Sequence, residues 1–355
     1  MHETDLHLEP NEASDLCRVL EGRAAEHGWD RALLTVLDEA AAEDALALLT
    51  HNAGTAIEHG WEAHRVSAEP TTAGGKTQDA EACASRDGVV YVLGSQFGSK
   101  DGPLQASRSW IARLTDDDLV AALTGGRARL QIARLRFGLH RAVNDALAAA
   151  AVDLWPSGEA TRRAYVDATI ARGAEKGKRW AGRVAADDQP INVEALELRA
   201  DGRGLLGLRY PVSADGHPLL VEVADLDALF DDPDAVPECG PVWVLEGVGS
   251  REAPAGLRGL DSRGDDRFDA IVGDLDASGK GATILADHAA GARAESAHVR
   301  FALPLAARGG AVRAERVHGF GDVRRVEGVA VDDEGHAHYV IDEEGRVGLR
   351  TLVAE

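Results

Sequence analysis

The chain has 355 residues, of which 45% are hydrophobic and 28% charged, and it carries 39 glycines and a formal net charge of -22. This length is enough for one large domain or two ordinary ones with a sizeable core. The negative charge argues against general attraction to nucleic acid or to an anionic membrane. Three widely spaced cysteines without a CxxC pair predict neither a disulfide framework nor a zinc site.

The N-terminal part predicts one weakly marked sheet. Residues 3–9 alternate as a strand, residues 12–28 are compatible with a short helix, and residues 31–37 and 61–66 read as strands. No charged n-region with an apolar core follows Met1, and no apolar run approaches the length of a membrane span. We therefore expect a cytoplasmic protein without a membrane partner.

The strongest local signal is a hairpin that occurs three times. Residues 79–95 read as two strands joined at Asp87-Gly88, because glycine adopts the positive φ that such turns need. Residues 192–208 and 326–341 repeat the phrase. Three copies predict a radial array of small sheets. The first strand of each copy opens on a glutamate followed by a small residue: Glu81, Glu194 and Glu327.

Residues 116–185 predict a basic helical insertion. Apolar spacing over 132–150 predicts a helix of about five turns, and residues 159–174 predict a second helix. Between Leu119 and Val184 there are 12 Arg or Lys residues against 5 Asp or Glu residues. The segment is either a surface hairpin with solvated arginines, or a lid or docking surface for an anionic substrate or partner. The arginines expected on one helical face, with His140 solvated beside them, are Arg127, Arg134 and Arg141.

From Ile191 to the C-terminus the sequence again has the alternation of apolar and polar residues that predicts strands, including short ones at 256–260, 270–274 and 281–285. Counting about four strands per sheet gives five sheets or six. The last group has three clear strands of its own, so we expect the N-terminal strand at Leu6-His7-Leu8 to pair beside residues 347–353 and close the ring. The predicted fold class is all-β: a five- or six-bladed β-propeller in a single domain, 1–355, with the helical insertion between blades.

Six sequence segments carry a family resemblance: 79–84, 91–95, 100–113, 192–212, 257–261 and 326–330. Taken in order, they resemble a bacterial β-propeller family of unknown function that is similar to esterase-like phytases and Ca-binding propeller hydrolases. Family members usually have Glu-Gly at the strand openings, where this chain has Glu-Ala at 81 and 194. Where relatives tend to have Ser-His-Ser, this chain has Ser95-Gln96-Phe97, so no histidine role carries over. The resemblance implies a fold and leaves the activity open.

If the first strands start at a central channel, their glutamates converge on one mouth, and residues two positions earlier point to the same side. A cluster of hard oxygen ligands suits Ca²⁺, which can polarise an ester or phosphoryl oxygen and orient water. The predicted calcium ligands are Asp79, Glu81, Asn192, Glu194 and Glu327. The predicted catalytic residues are Glu81, Glu194, Glu327 and the anion-binding Arg209.

Two alternatives for these glutamates stay open. They can accept hydrogen bonds from backbone N–H groups of a neighbouring blade without any ion, or they can act directly as acids and bases in catalysis. Arg209 and Arg258 are the candidates to neutralise them, and the exposed pair His336 and His338 is expected to be incidental.

Two function classes follow from these readings. The first is a metal-assisted hydrolase of an ester or phosphoester, acting on a small-molecule substrate. The second is a non-catalytic propeller that binds a protein or small ligand, with the helical insertion as its docking element. Nucleic acid binding is expected only through the basic insertion, if at all.

Overall fold

The computed structural model describes residues 1–6, 8, 12–38, 40–72, 75–232, 234–276, 282–304, 306–343 and 346–354, and this part of the chain is mostly β. Its strands form five sheets. In chain order the strands are β1 (His2–Leu6), β2 (Ala13–Arg18), β3 (Trp29–Leu37), β4 (Leu46–Asn52), β5 (Trp61–Val66), β6 (Ala68–Pro70), β7 (Ala80–Arg86), β8 (Val89–Gly94), β9 (Trp110–Thr115), β10 (Ala128–Arg134), β11 (Asn192–Leu198), β12 (Gly204–Tyr210), β13 (Leu219–Val223), β14 (Cys239–Glu246), β15 (Gly256–Ser262), β16 (Arg267–Gly273), β17 (Ala297–Ala302), β18 (Gly310–Arg313), β19 (Glu315–Gly319), β20 (Val326–Val331), β21 (Ala337–Glu343) and β22 (Arg346–Leu352).

The sheets follow one another along the chain. Sheet 1 has the order β2-β3-β4-β5, sheet 2 β7-β8-β9-β10-β6, sheet 3 β11-β12-β13-β14-β18, sheet 4 β15-β16-β17-β19 and sheet 5 β20-β21-β22-β1. Neighbouring strands are antiparallel, apart from the parallel pairs β10–β6 and β14–β18. The three predicted hairpins are confirmed as β7–β8, β11–β12 and β20–β21. At the first of their turns Asp87 and Gly88 have φ values of 51° and 75°.

The first strands of the sheets contact one another in cyclic order: β2 with β7, β7 with β11, β11 with β15, β15 with β20, and β20 with β2. Each neighbouring pair of sheets also encloses a hydrophobic cluster, so both faces of most strands are buried. Leu205 and Leu206, for example, point to opposite faces of β12 and join different clusters. Representative members around the molecule are Leu34 with Val92, Leu93 with Val221, Leu205 with Val299, Ile271 with Val329, and Leu33 with Val340.

One residue near the start of every first strand drops out of the antiparallel register. The residue that follows it is small in four of the five strands. A Cβ on Gly259 would lie 2.7 Å from the Cα of Gly328, and a Cβ on Gly328 would lie 2.7 Å from the backbone nitrogen of Leu16. These small residues therefore let neighbouring first strands approach closely. The displaced residues are Ser14, Glu81, Glu194, Arg258 and Glu327.

Buried carboxylates deeper in the first strands link one sheet to the next. Asp15 accepts a hydrogen bond from the backbone N–H of Cys83 at 3.0 Å. Glu197 accepts from Ser262 N–H at 2.9 Å, and Asp261 accepts from Val331 N–H at 3.1 Å. Asp15, Glu197 and Asp261 thus accept the hydrogen bonds from a neighbouring sheet that were one alternative for the three repeated glutamates.

The N-terminal strand completes the last sheet as predicted. β1 pairs antiparallel with β22, and the register places Leu6 opposite Val347. Leu6 and Leu8 are both buried in the cluster between sheets 5 and 1, whereas His7 lies outside the described residues. This pairing protects an edge of sheet 5 that would otherwise be free.

The helices are α1 (Asp116–Leu123), α2 (Gly138–Ala149), α3 (Glu159–Thr161), α4 (Ala168–Glu175), α5 (Ala228–Asp231) and α6 (Ile284–Asp287); a π-helical stretch, Arg162–Asp167, joins α3 to α4. Short 3-10 turns span Ala24–His27, Ala106–Arg108, Arg179–Arg183 and Ala289–Ala292. No helix among these combines the length and apolar character that crossing a membrane requires.

The predicted helix over 132–150 is wrong in its first third, because β10 pairs with β9 up to Arg134 and α2 begins only at Gly138. A short run of Ile, Leu and Ala fits the periodicity of a helix as well as that of a strand. Here the hydrogen-bonded pairing with β9 makes the run a strand. The arginines at 127, 134 and 141 therefore share no helical face. His140 is buried near Asp188 rather than solvated, with 3.3 Å between Nε2 and Oδ2.

Two further elements differ from expectation. The stretch 12–28 contains strand β2 as well as a short 3-10 turn, because Leu16 and Cys17 pair with β3. The strand expected at 281–285 is wrong, since α6 begins at Ile284, while residue 281 lies outside the described residues. The helical reading of 159–174 is confirmed, with a π-helical stretch inside it.

We predict that removing residues 1–6 lowers the melting temperature by several degrees, because β22 loses its partner and the cluster around Leu6 loses a wall. Leu6→Ala alone should cost roughly 2 kcal/mol of unfolding free energy. Thr4→Ala, in the same strand, is the control and should change little. Thermal denaturation measures all three, and an unchanged melting temperature after the deletion would contradict the role given to β1.

Burial raises the pKa of Glu197 to about 7, although two backbone N–H groups oppose the shift. In the unfolded chain the carboxyl ionises near its ordinary value of 4.5, so the folded state binds the extra proton between these values. Glu197 therefore makes stability fall as pH rises from about 4.5 to 7, by on the order of 3 kcal/mol.

Glu197→Gln should flatten this part of the pH profile of unfolding free energy, measured with denaturant. The variant also loses one acceptor for a backbone N–H, so its stability at low pH should be below that of the wild type. A profile as steep as that of the wild type would show that another group carries the dependence.

Candidate active site at the start of the first strands

A cavity of ≈ 250 Å³ lies where the first strands of sheets 1, 2, 3 and 5 begin. We call it the acidic cavity, because carboxylates predominate in its wall. The acidic side chains that matter below are Asp38, Asp79, Glu81, Glu194 and Glu327, and the basic ones are Lys100, Arg108 and Arg209. Every residue predicted from the sequence as a calcium ligand or catalytic group, including Asn192, lines this cavity.

Glu194 is neutralised by the arginine proposed for that role. Arg209 Nη1 donates to Glu194 Oε1 at 2.6 Å, and both side chains are buried. Arg209 Nη2 donates to the backbone carbonyl of Asp276. With one of its two terminal nitrogens on Glu194 and the other on a carbonyl, Arg209 acts here mainly as a counter-charge.

Glu327 has a comparable partner in Arg258, which occupies the equivalent displaced position in sheet 4. Arg258 Nη1 donates to Glu327 Oε1, and Nη2 donates to Asp274 Oδ1 at 2.8 Å. Burial raises the pKa of Glu327 to about 7, and Arg258 limits the rise. Burial alone would lower the pKa of Arg258, but the carboxylates of Glu327, Glu194 and Asp274 raise it. Arg258 therefore stays charged while Glu327 can exchange a proton near neutrality.

Glu81 has no such partner: among the described residues, no arginine or lysine forms an ion pair with it. Carboxylate oxygens of Asp38, Asp79 and Glu81 all lie within 4.8 Å of one another. Burial raises the pKa of Glu81 well above its ordinary value, and the nearby charges of Asp38 and Asp79 raise it further. This corner of the cavity is where negative charge is least compensated.

Asp79 shows how the corner is held together. Its backbone lies in the left-handed region, with φ at 65°, and its Oδ2 accepts hydrogen bonds from Ser95 Oγ and, at 2.7 Å, from Arg108 Nη1. Burial raises the pKa of Asp79, against the opposing effect of Arg108. A carboxylate oxygen of Asp38 lies within 4.8 Å of one of Asp79, and two carboxylates this close repel each other unless a proton or a cation lies between them.

Asn192 Oδ1 and Glu194 Oε2 are acceptor oxygens in the wall that have no hydrogen-bond partner among the described residues, and both are almost completely shielded from solvent. The Asn192 amide group is oriented by its Nδ2, which donates to Glu194 Oε1 at 2.8 Å. An unsatisfied buried acceptor is unfavourable by about 1–3 kcal/mol. The pair therefore indicates room for a cation, a water or a donor-bearing ligand at this wall.

The helical segment supports the rim of the cavity. Tyr165 Oη donates to the carbonyl of Lys100 at 2.6 Å, and the Tyr165 ring stacks on Phe97 with ring centroids 4.6 Å apart. The backbone N–H of Thr283 donates to the same carbonyl at 2.9 Å. These contacts fix the loop that carries Lys100 over the cavity, so the segment is packed against the site.

Sequence reasoning did not identify Asp38, Ser14, Lys100 or Arg108 as site residues. Asp38 follows the apolar end of β3, where a lone acid is an ordinary turn residue. Ser14 occupies the position of the repeated glutamates, but its neighbour Asp15 hides the small-residue signal. Arg258 stands at the same position and is followed by glycine, which could have marked it as the fourth copy.

A second acidic group lies away from the cavity, where oxygen or nitrogen atoms of Asp332, Glu334 and His336 come within 4.8 Å of one another. Arg31 already neutralises it, donating to Asp332 Oδ2 at 2.6 Å and to Glu334 Oε2 at 2.8 Å. His338 is buried against Asp332 and is therefore neither exposed nor incidental. This group reads as a link between sheets 1 and 5.

No family model and no curated protein matches the sequence, so the family resemblance stays a prediction. Among solved structures, the chain is similar to a GH43 endo-arabinanase from Bacillus licheniformis (11% identity, 98% of this chain and 95% of that chain, TM-score 0.42). It is also similar to the mannose phosphorylase MPT-4 from Leishmania mexicana (10%, 99% and 88%, 0.42) and to the WD40 β-propeller domain of Doa1 (8%, 99% and 96%, 0.35). Likeness at this level defines neither an activity nor a substrate for this chain.

We predict that Arg258→Leu lowers the unfolding free energy by roughly 3–5 kcal/mol at pH 8, because it leaves Glu327 buried without its counter-charge. The loss should be smaller at pH 5, where Glu327 is protonated. Adding Glu327→Leu should recover part of the stability at pH 8. Denaturant unfolding of both variants at the two pH values measures this, and a loss independent of pH would refute the ion pair's role.

Proposed function

We propose that the chain is a five-bladed β-propeller whose acidic cavity binds a divalent cation of the calcium type and hydrolyses an ester or phosphoester there. The cyclic contacts of the first strands and the cluster between each pair of sheets support the five blades. In this proposal the part of 116–185 that follows β10 is the helical insertion, and it supports the cavity rim rather than presenting a docking face.

The observation that carries the cation proposal is the corner formed by Asp38, Asp79 and Glu81. Arg108 offsets the charge of Asp79, but the charges of Asp38 and Asp79 raise the pKa of Glu81, so a cation beside Glu81 would relieve the repulsion there. The donor set is all oxygen, which suits Ca²⁺ and Mg²⁺ better than zinc or copper. The unpartnered oxygens of Asn192 and Glu194 line the same cavity and supply a second, independent indication.

Each residue then has a defined role. Asp38, Asp79 and Glu81 would hold the cation, which when bound supplies polarisation of an ester or phosphoryl oxygen. Glu327, with its pKa near 7, can hold or release a proton and is the candidate general acid or base. Lys100, exposed at the rim, would receive an anionic part of the substrate, and Arg209 holds the Glu194 side chain in place.

The scaffold alternative has less support. It requires an exposed apolar surface on the helical insertion, but Leu139, Val143 and Leu147 of α2 are buried in the cluster between sheets 2 and 3. The large hydrophobic side chains that are exposed in the described residues are isolated ones: Met1, Val236 and Val317. Single exposed hydrophobic residues do not make a docking patch.

Calcium should raise the melting temperature in a dose-dependent way, because it binds only the folded site. Glu81→Gln and Asp38→Asn should abolish most of the shift, since each removes a carboxylate ligand from this corner. Glu334→Gln is the matched control, because it removes a carboxylate from the acidic group already neutralised by Arg31. Differential scanning calorimetry with calcium and with a chelator measures the effect. No calcium shift in the wild type would remove the cation from the proposal.

Activity is tested separately with p-nitrophenyl esters and p-nitrophenyl phosphate, with and without calcium. We expect calcium-dependent release of p-nitrophenol that is lost in Glu81→Gln and retained in Glu334→Gln. Glu327→Gln should lower kcat while calcium stabilisation persists, because its role is proton transfer rather than cation binding. Calcium binding without turnover of either substrate class would favour the non-catalytic propeller.

A further inference from the structure

A second concave site carries charge of the opposite sign. Its wall has two sides: Leu104 to Ser107 on one, and the C-terminal end of α4 with Trp180 on the other. It encloses ≈ 250 Å³. We call it the basic pocket. Its charged wall residues are Arg172, Lys176 and Lys178, and no carboxylate from the described part of the chain lines it.

These three cations have no ion-pair partner among the described residues. Two other basic residues of the helical segment do have one: Arg141 pairs with Asp188 at 2.7 Å, and Arg163 pairs with Glu159. In a chain with a formal net charge of -22, three adjacent cations facing a cavity without a carboxylate are a local exception. Their positive charge is available to a ligand.

Capping of α4 does not account for the lysines. Gly177, with φ at 55°, reverses the chain in a Schellman motif. Its N–H donates to Ala174 O at 3.1 Å, and Lys178 N–H donates to Gly173 O at 2.9 Å. Backbone groups thus satisfy the carbonyls of Gly173 and Ala174 without the lysine ammonium groups.

Trp180 gives the pocket a rigid wall. Its ring packs edge-on against Phe137, with centroids 4.8 Å apart. A Cβ at Gly173 would lie 2.8 Å from the ring, so the helix backbone and the indole are in close contact. The position of the wall is therefore set by packing before any ligand arrives, which lowers the ordering cost of binding.

We propose that the basic pocket binds a small polyanion of the phosphate-ester or pyrophosphate type. Lysine ammonium groups bind phosphate oxygens as point charges, and arginine adds a planar donor pair. The negative end of the α4 dipole opposes an anion at this place, so binding rests on the side chains. The site is independent of the proposed hydrolase chemistry, because its wall shares no residue with the acidic cavity.

The test is isothermal titration calorimetry of the full chain with inorganic pyrophosphate. A chelator is present so that no cation carries pyrophosphate to the acidic cavity, and the ionic strength is fixed. The wild type should bind at one saturable site. Lys176→Ala with Lys178→Ala should weaken binding at least about tenfold, because two charge-assisted contacts are lost. Arg172→Gln should weaken it to a smaller extent.

The matched control is Arg162→Ala with Arg308→Ala, which removes the same charge from exposed positions outside the pocket. Its affinity should stay within about twofold of the wild type, since long-range attraction is screened by salt. Melting temperatures confirm that each variant is folded, which is expected because all five substituted side chains are exposed. Absence of saturable binding in the wild type, unchanged affinity in the lysine variant, or an equal loss in the control would each overturn the proposal.

Discussion

The structure depends on five first strands that converge closely enough for their backbones to touch. Convergence is permitted by the small residues that follow four of the five displaced positions, as the close approach of Gly259 and Gly328 shows. The displacement takes one side chain in every first strand out of the ladder, and four of these five residues line the acidic cavity. Packing geometry and the candidate site therefore have the same origin, and a larger residue at 259 or 328 would disturb both.

The same convergence creates an electrostatic problem, because three of the five displaced residues are glutamates. Sheet 4 contributes Arg258, and β12 contributes Arg209, so Glu327 and Glu194 are compensated within the protein. Glu81 instead faces two more carboxylates, and its pKa rises. Charge compensation is thus uneven, and Glu81, which forms no ion pair with an arginine or lysine of the described residues, is where we propose that an external cation binds.

Local signals predicted much of this arrangement. The Asp87-Gly88 turn and the alternating strands are set by neighbouring residues, so the hairpins and the shared location of the glutamates could be read from sequence. Pairings between distant residues could not. Asp38 and Asp79 are far apart in the sequence and lie close together only in the folded protein. The residues around Ile132 have the apolar spacing of a helix, but they form a strand because they pair with β9. The sequence also did not indicate which acidic residues link neighbouring sheets. Asp15 and Glu197 differ from the repeated glutamates only in lying further along the first strand.

The pairing of β1 with β22 has a consequence for biosynthesis. β1 is synthesised before the other strands of the fold, and β22, the strand it must join, is synthesised after them. Sheets 1 to 4 can assemble during translation, each against its predecessor, while β1 remains without a partner. Until β22 has been synthesised, the backbone hydrogen-bonding groups of β1 stay unpaired, and such groups can pair with another chain.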